Sequence, residues 1–233
     1  MRIIGIYLLL LLIASCGLNS KKDSTLNSAH PNINYFYPYD SVPRIYCYRN
    51  IANGLDEEFH RIYGIKDSKG HHIVVEKYAS TGRIIEAFNY NYDSLDVIDH
   101  MVVNRNNLKT QAVLVKTKLF PFSDAEQTWF ASKYAGHIDS TLILDELKRK
   151  VQKKNVDYLV MDEEKRKAIY YSDFRRLTMI NIFSKKETNL NTEGFSIFAE
   201  GFGLVEFYSK NKIAHYKLEK VLTQKEWKEF LHR

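Results

Sequence analysis

Cysteine and proline are scarce in this sequence of 233 residues, which holds two cysteines, Cys16 and Cys47, and four prolines. No C-x-x-C pair is present, so the spacing found in many zinc and redox sites is absent. A disulfide framework is therefore excluded, and the chain is long enough to fold around one hydrophobic core. Cys47 lies in a strand-like run and is predicted to be a buried, inert thiol.

Catalytic and nucleotide-binding motifs are also missing. There is no G-x-S-x-G nucleophile elbow, no H-E-x-x-H zinc helix and no P-loop. The segment 194–198 lacks the second glycine of an elbow, and 201–204 lacks the third glycine of a dinucleotide-binding loop. We interpret 201–204 as a tight turn or bulge, where glycine tolerates a positive φ angle. The sequence therefore predicts no enzymatic activity, no catalytic residues and no cofactor.

A strong excess of charge of one sign is absent as well. The 34 Lys and Arg residues face 28 Asp and Glu residues, and the net charge is +6. Bases and acids are interleaved, as in the segment 162–167, which is typical of a solvated surface and argues against a nucleic-acid partner. The densest basic run is Lys148-Arg149-Lys150 with Lys153-Lys154. It is interpreted as a solvated face or an edge strand protected by lysine, with a lipid headgroup or polysaccharide contact as the alternative.

Two groups of potential metal ligands occur, and the local geometry favours a structural role for both. The first is His71-His72, whose side chains point to opposite faces of a predicted strand. The second comprises Asp93, Asp96, Asp99 and His100. Asp93 and Asp96 flank a predicted turn, where Asp commonly accepts bonds from backbone N–H groups, and an ion site or acid–base pair at Asp93 and Asp99 is the alternative. No metal site is predicted.

A long hydrophobic run is missing too. The apolar stretch from Ile3 to Ile13 follows a single positive charge and precedes the small residues Ala14, Ser15 and Gly17. A helix that spans a bilayer needs roughly 20 apolar residues. A shorter run that ends in small residues is typical of a secretory signal peptide, so a signal peptide is favoured over a transmembrane anchor.

Within this stretch, Ile13-Ala14-Ser15-Cys16 resembles the lipobox of bacterial lipoproteins. The resemblance covers residues 1–17 and implies cleavage between Ser15 and Cys16, with residues 1–15 as the signal peptide. It further implies a diacylglycerol thioether on Cys16 and, in many bacteria, an acyl chain such as palmitate on the new amino group. Two or more chains anchor a protein stably at a membrane.

The same resemblance implies a cellular localisation. In lipoprotein sorting, Asp directly after the acylated cysteine retains a protein at the inner membrane, whereas Gly17 stands there in this chain. An acidic cluster after the cysteine directs some lipoproteins to the cell surface, and the segment 18–22 is not acidic. The expected localisation is therefore the cell envelope, at the outer membrane and facing the periplasm.

After the anchor, the chain divides into a tether and one domain. Residues 16–30 are rich in Ser, Asn and Lys and are predicted to be flexible, with a root-mean-square span of roughly 20 Å. Residues 31–233 contain no repeat or linker and are predicted to form a single β-rich domain. The aromatic run from Tyr35 to Tyr39 lies where the two meet, and packing against the domain is favoured over a place at the membrane interface.

Beyond Pro43, apolar residues alternate with polar ones, and the segment 84–92 is the clearest example. Short turns between such runs predict antiparallel neighbours. The segment 140–151 fits either a helix or a strand, and a strand is favoured. Thr223 and Glu226 form a capping-box pattern that begins a short helix containing Trp227. The prediction is a mainly β fold, a single large antiparallel sheet curled into a half-barrel, barrel or sandwich, with a short C-terminal helix.

The expected architecture is similar to the half-barrel of lipoprotein-carrier and lipoprotein-receptor proteins, although no signature residues match. The sequence therefore predicts a membrane-anchored envelope lipoprotein with a non-enzymatic binding or assembly role. The alternative is a periplasmic carrier of lipid or another apolar ligand held in a β half-barrel. The expected partners are the membrane, through the lipid on Cys16, and an envelope protein or an apolar ligand.

Overall fold

The computed structural model describes residues 29–103, 108–136, 140–210 and 214–232. The predictions for the signal peptide, Cys16 and residues 16–28 of the tether lie outside these ranges. The described chain forms thirteen strands: β1 Arg44–Asn50, β2 Glu57–Asp67, β3 Gly70–Ala79, β4 Ile84–Asn91, β5 Val97–Val103, β6 Lys109–Gln111, β7 Val113–Thr117, β8 Gln127–Ala135, β9 Thr141–Val160, β10 Glu164–Asn181, β11 Glu187–Ala199, β12 Gly203–Ser209 and β13 Ala214–Leu222. A 3-10 helix spans Ile33–Tyr35, and a helix α1 spans Gln224–Leu231.

All thirteen strands belong to one antiparallel sheet in the order β6-β5-β4-β3-β2-β1-β13-β12-β11-β10-β9-β8-β7. The two edge strands, β6 and β7, are consecutive in the chain and are joined by Ala112. The Ala112 N–H donates to the His100 carbonyl at 2.8 Å, and His100 Nδ1 lies 3.0 Å from Ser132 Oγ on β8. These contacts bring the two edges together, so the predicted curled sheet is confirmed and takes the form of a nearly closed barrel.

The ambiguous segment after residue 140 is a strand because it has partners on both sides. Ile143 of β9 is opposite Tyr134 of β8 and Met179 of β10. A helix would leave both neighbouring strands without these backbone hydrogen bonds, which a buried sheet cannot tolerate. Long-range pairing therefore decides what the local pattern leaves open.

Successive antiparallel strands place their turns alternately at two ends of the barrel. We call one the near end; it carries segment 29–43 and the turns 68–69, 92–96, 118–126, 161–163 and 200–202. The opposite one is the far end; it carries the turns 51–56, 80–83 and 182–186. The tether therefore joins the barrel at the near end, where the His30 N–H donates to the Asp93 carbonyl.

The near end is closed by the aromatic run that precedes β1. Tyr35, Phe36 and Tyr37 are buried, and the Gly201 N–H donates to the carbonyl of Asn34 at 3.0 Å. Gly203 has φ +88°, and a Cβ atom there would lie 2.3 Å from the Tyr37 ring. The predicted packing of this run against the domain and the predicted turn at 201–204 are both confirmed.

Helix α1 lies on the outside of the barrel. Its capping box is formed as predicted: the Glu226 N–H donates to Thr223 Oγ1, and the Thr223 N–H donates to Glu226 Oε2. Trp227 packs on Phe59 and covers a small outer cluster that includes the buried Cys47. Among the described residues, none of the helical segments has the length and apolar character required to traverse a bilayer.

Candidate functional site

The interior of the barrel differs between its two ends. Toward the near end, Phe36, Tyr37, Phe120 and Phe198 pack edge to face with ring centroids about 5 to 6 Å apart. Toward the far end, these rings form the floor of a cavity of about 210 Å³. Glu193 lies on its rim, with 73% of its side chain exposed. The cavity therefore opens on the side of the barrel away from the tether.

At the base of the cavity, Arg149 of β9 reaches inward to Asp173 of β10 and Ser196 of β11. Arg149 Nε and Nη2 donate to the two Asp173 oxygens at 2.8 and 2.9 Å. Nη2 also donates to Ser196 Oγ at 2.8 Å, and that hydroxyl donates to Asp173 at 2.7 Å. Burial opposes the charge on Arg149, but the Asp173 carboxylate outweighs burial and raises the Arg149 pKa.

The guanidinium of Arg149 also lies over three aromatic rings. Its Cζ atom is 5.1 Å from the ring centroids of Phe120 and Tyr171, and 5.4 Å from that of Phe198. Nη1 is buried without a hydrogen-bond partner in the described structure, and these ring faces supply the compensating negative potential. The charged half and the aromatic half of the interior therefore meet at this residue.

The interpretation of the basic run 148–150 as one solvated face is wrong for its central residue. Lys148 and Lys150 point outward, whereas Arg149 is 5% exposed and lies inside the barrel. The cause is the two-residue period of a strand, which sends alternate side chains to opposite faces. The period was visible in the sequence, but the face that turns inward depends on the pairing with β8 and β10.

Further ion pairs line the cavity wall above Arg149. Lys77 Nζ lies 2.6 Å from Glu86 Oε1, and Arg175 Nε donates to Asp145 Oδ1 at 2.8 Å. Burial favours the neutral form of Glu86, but the charge of Lys77, the imidazole of His100, whose Nε2 lies 3.5 Å from Glu86 Oε2, and the charge of Arg175 outweigh it. The pKa of Glu86 is therefore well below its usual value, and the carboxylate is ionised at neutral pH.

His60 lies on the same wall beside Glu58. Its Nε2 is 2.7 Å from Glu58 Oε1, and its ring lies against Tyr48, with a centroid separation of 4.6 Å. Burial lowers the pKa of His60 despite the neighbouring carboxylate, so the ring is neutral at pH 7. Because Glu58 can only accept, Nε2 carries the proton, and Nδ1 is a buried acceptor for which the described residues provide no donor.

Charge pairs of this kind are costly inside a protein. Each ion loses its hydration, and well-packed apolar residues of similar volume often stabilise a fold as much or more. The near half of this barrel has such an apolar filling, so the fold could have used it throughout. Ionisable groups gathered around a cavity are instead typical of a functional site.

The structure does not bring the sequence-predicted candidate ligands together. His71 packs on the Tyr39 ring, whereas His72 Nε2 lies 2.9 Å from Asp67 Oδ1. The cluster Asp93, Asp96, Asp99 and His100 is dispersed: Asp93 and Asp96 lie in the near-end turn, Asp99 contacts Gln111, and His100 is buried inside the barrel.

A polar recess of about 400 Å³ lies at the near end and is bordered by His30, Asp93 and Asp96. The described part of the chain begins at residue 29, next to His30 on the border of this recess. We therefore assign no site there.

One group on the outer surface has atoms close enough to contact a single cation. The ligand atoms of Cys47, Glu57 and Glu219 all lie within 4.8 Å of one another. However, Arg49 Nη2 already lies 3.6 Å from Glu57 and 3.0 Å from Glu219. Burial, followed by the Glu57 charge, raises the pKa of Cys47 to about 12. The thiol is therefore protonated, as predicted for an inert buried cysteine.

Comparison with known proteins returns two distant structural likenesses. No family model matches the chain, and no curated protein matches it. A solved structure named "putative lipoprotein", from Parabacteroides distasonis, covers 81% of this chain and 98% of its own, with 10% identity and a TM-score of 0.46. Another, named "putative exported protein with YmcC-like fold", from Bacteroides fragilis, covers 81% and 99%, with 13% identity and a TM-score of 0.38. The functional proposal therefore rests on the cavity and on the sequence.

Proposed function

We propose that this chain is a lipid-anchored, non-enzymatic protein of the bacterial cell envelope that binds a small ligand in the far half of its barrel. The cavity carries the proposal, because its wall of ion pairs serves binding better than it serves stability. Acylated Cys16 would hold the protein at the outer membrane, facing the periplasm. Since the tether joins at the near end, the cavity would be accessible from the side away from the anchor.

The size and chemistry of the cavity favour a small ligand with both a polar and an apolar part over a lipid. Sites for drug-sized ligands enclose about 300 to 1,000 Å³, and this cavity encloses about 210 Å³. Aromatic and aliphatic side chains make up most of the wall, but charged side chains from six strands also line it, and a lipid chain offers these charges no partner. The aromatic floor would accept an apolar group no larger than a single ring.

Replacement of the anchor residue tests the localisation. The Cys16→Ser variant should remain unprocessed or be released, and it should not incorporate labelled palmitate. Wild-type protein should fractionate with the outer membrane. Membrane fractionation and palmitate labelling of the variant at the wild-type level would contradict the anchor.

A bulky side chain inside the cavity tests the ligand site. Leu147 lines the cavity, and Leu147→Trp should fill it, whereas Leu147→Met conserves the volume at a cost below about 1.5 kcal/mol. We expect a thermal-shift screen of small metabolites to find ligands for the wild type and the Leu147→Met variant that the Leu147→Trp variant does not bind. Equal binding by folded Leu147→Trp, or no ligand for the wild type, would contradict the proposal.

A further inference from the structure

The charges that line the cavity do not balance among the described residues. Its carboxylates, apart from that of the solvated Glu193, are those of Glu58, Glu86, Asp145 and Asp173. Its cations are Lys77, Arg149 and Arg175. His60 is neutral because burial lowers its pKa. One negative charge is therefore left over in a region of low dielectric constant, where an uncompensated charge is unfavourable.

Protonation of the carboxylates does not remove this excess. Burial alone would raise the pKa of Glu58, but the hydrogen bond and the electrostatic interaction with His60, followed by the charge of Lys77, outweigh burial and leave it lowered. The pKa of Glu86 is lowered further by Lys77 and Arg175, against the effect of burial. Both groups stay ionised near neutral pH, so the compensating charge has to come from another source.

His60 provides a second, independent indication. The side chain is 1% exposed, its Nε2 proton is directed to Glu58, and Nδ1 is left as a buried acceptor without a donor in the described part of the chain. An unpaired buried acceptor is costly. A ligand that donates an N–H hydrogen bond would satisfy it, and a ligand that only accepts would not.

The aromatic residues of the interior already stabilise cations by their ring faces. The Lys77 ammonium lies 5.1 Å from the Phe88 ring centroid, and Arg149 lies over three rings. Phe36, Phe207 and Phe130 also line the cavity. Aromatic walls of this type bind ammonium groups through the negative face of the ring.

From the charge excess, the unpaired acceptor and the aromatic wall, we infer that the ligand is a small organic cation, a primary or secondary ammonium compound. This inference rests on the proposed function and specifies the ligand of the same site. The cavity volume equals about seven water molecules in the liquid, which limits the ligand to a compact amine. The ammonium group would compensate the excess carboxylate and donate to His60 Nδ1.

Three probes of similar size and different charge test the inference on the full-length protein by isothermal titration calorimetry. They are 2-phenylethylammonium, 2-phenylethanol and 3-phenylpropionate. We expect 2-phenylethylammonium to bind at least about tenfold more tightly than either of the others. Its N,N,N-trimethyl derivative keeps the charge but has no N–H donor, and it should bind more weakly than the primary amine.

A charge-neutralising variant provides the matched test. Glu58→Gln removes the excess negative charge with little change in shape and should abolish the tenfold preference for the cation. Glu187→Gln makes the same chemical change at an exposed position at the start of β11 and should leave the preference intact. Where Glu58→Gln fails to fold, Glu86→Gln serves the same purpose on the opposite side of Lys77.

The outcomes separate the inference from the proposed function. Binding of all three probes with similar affinity would overturn the inference and would leave a working ligand site. Tighter binding of the anion would overturn the inference as well. Failure of every probe would overturn the inference, whereas the metabolite screen with the Leu147 variants decides the proposed function.

Discussion

The two halves of the barrel interior are built by the same strands but contain opposite chemistry. Along β4, Tyr90 belongs to the aromatic half, and Glu86, four residues earlier, belongs to the ionic half. Along β10, Tyr171 and Arg175 show the same change. The same strands run through both halves, so the difference in chemistry comes from their inward-facing side chains. The aromatic half is a packed apolar core, and the ionic half places buried charges around a cavity.

Removal of an aromatic ring should give the largest effect. Phe198→Ala deletes a ring that is 5% exposed and contacts Tyr37, Phe120 and Tyr171, so we expect a loss of about 4 kcal/mol in the free energy of unfolding. Urea denaturation measures it. Phe183→Ala removes a ring that is 79% exposed at the far end and should change stability by less than about 0.5 kcal/mol. Similar losses for the two variants would mean that the near half is not a packed core.

Removal of one partner of the deepest ion pair should cause the second-largest loss of stability. Asp173→Ala leaves Arg149 buried without a counter-charge and should cost about 3 kcal/mol. The matched control is Asp157→Ala, which breaks the exposed pairs with Lys165 and Lys167 and should cost less than about 1 kcal/mol. If the two variants unfold at the same urea concentration, Arg149 is better solvated than its burial indicates.

Replacement of all three buried polar residues at the base of the cavity should remove the loss of stability that the single substitution causes. The triple variant Arg149→Met, Asp173→Leu and Ser196→Ala converts the base of the cavity to apolar chemistry like that of the near half. We expect it to be as stable as the wild type or more stable by about 2 kcal/mol, and to lose ligand binding. Thermal unfolding and calorimetry measure the two properties. A strong loss of stability would show that this ion pair holds the barrel together, which would abolish the distinction between the halves.

The smallest effect should be on the stability at acid pH, and only substitutions in the ionic half should change it. Because the folded pKa of Glu86 is below the usual value of 4.5, its contribution to stability is complete above pH 4.5 and is lost as the pH falls through the lowered pKa. Glu86→Gln should therefore weaken the acid dependence of the free energy of unfolding below pH 4.5. Phe198→Leu, in the aromatic half, should keep the wild-type dependence. An unchanged slope for Glu86→Gln would contradict the lowered pKa.

Local patterns account for what the sequence could predict of this molecule. The alternation in 84–92 is a property of one strand, and the Thr223–Glu226 capping box is a property of one helix turn, so both are visible without the fold. The choice of a barrel depends on contacts such as that between His100 and Ser132, which no local pattern reveals. The cavity could not be predicted either, because it too depends on contacts between residues of different strands. Arg149 and Asp173 meet only because β9 and β10 pair in one register, and in the sequence Arg149 is one base in a basic run.

The pairing of β1 with β13 places the beginning and the end of the described sheet side by side at its centre. Contacts between residues so distant in the chain form slowly, because a long loop has to close before they are made. Until β13 is in place, one side of β1 is an unpaired strand edge, and such edges promote association between partly folded chains. Refolding should therefore be slow, strongly dependent on protein concentration, and limited by the arrival of the last strand.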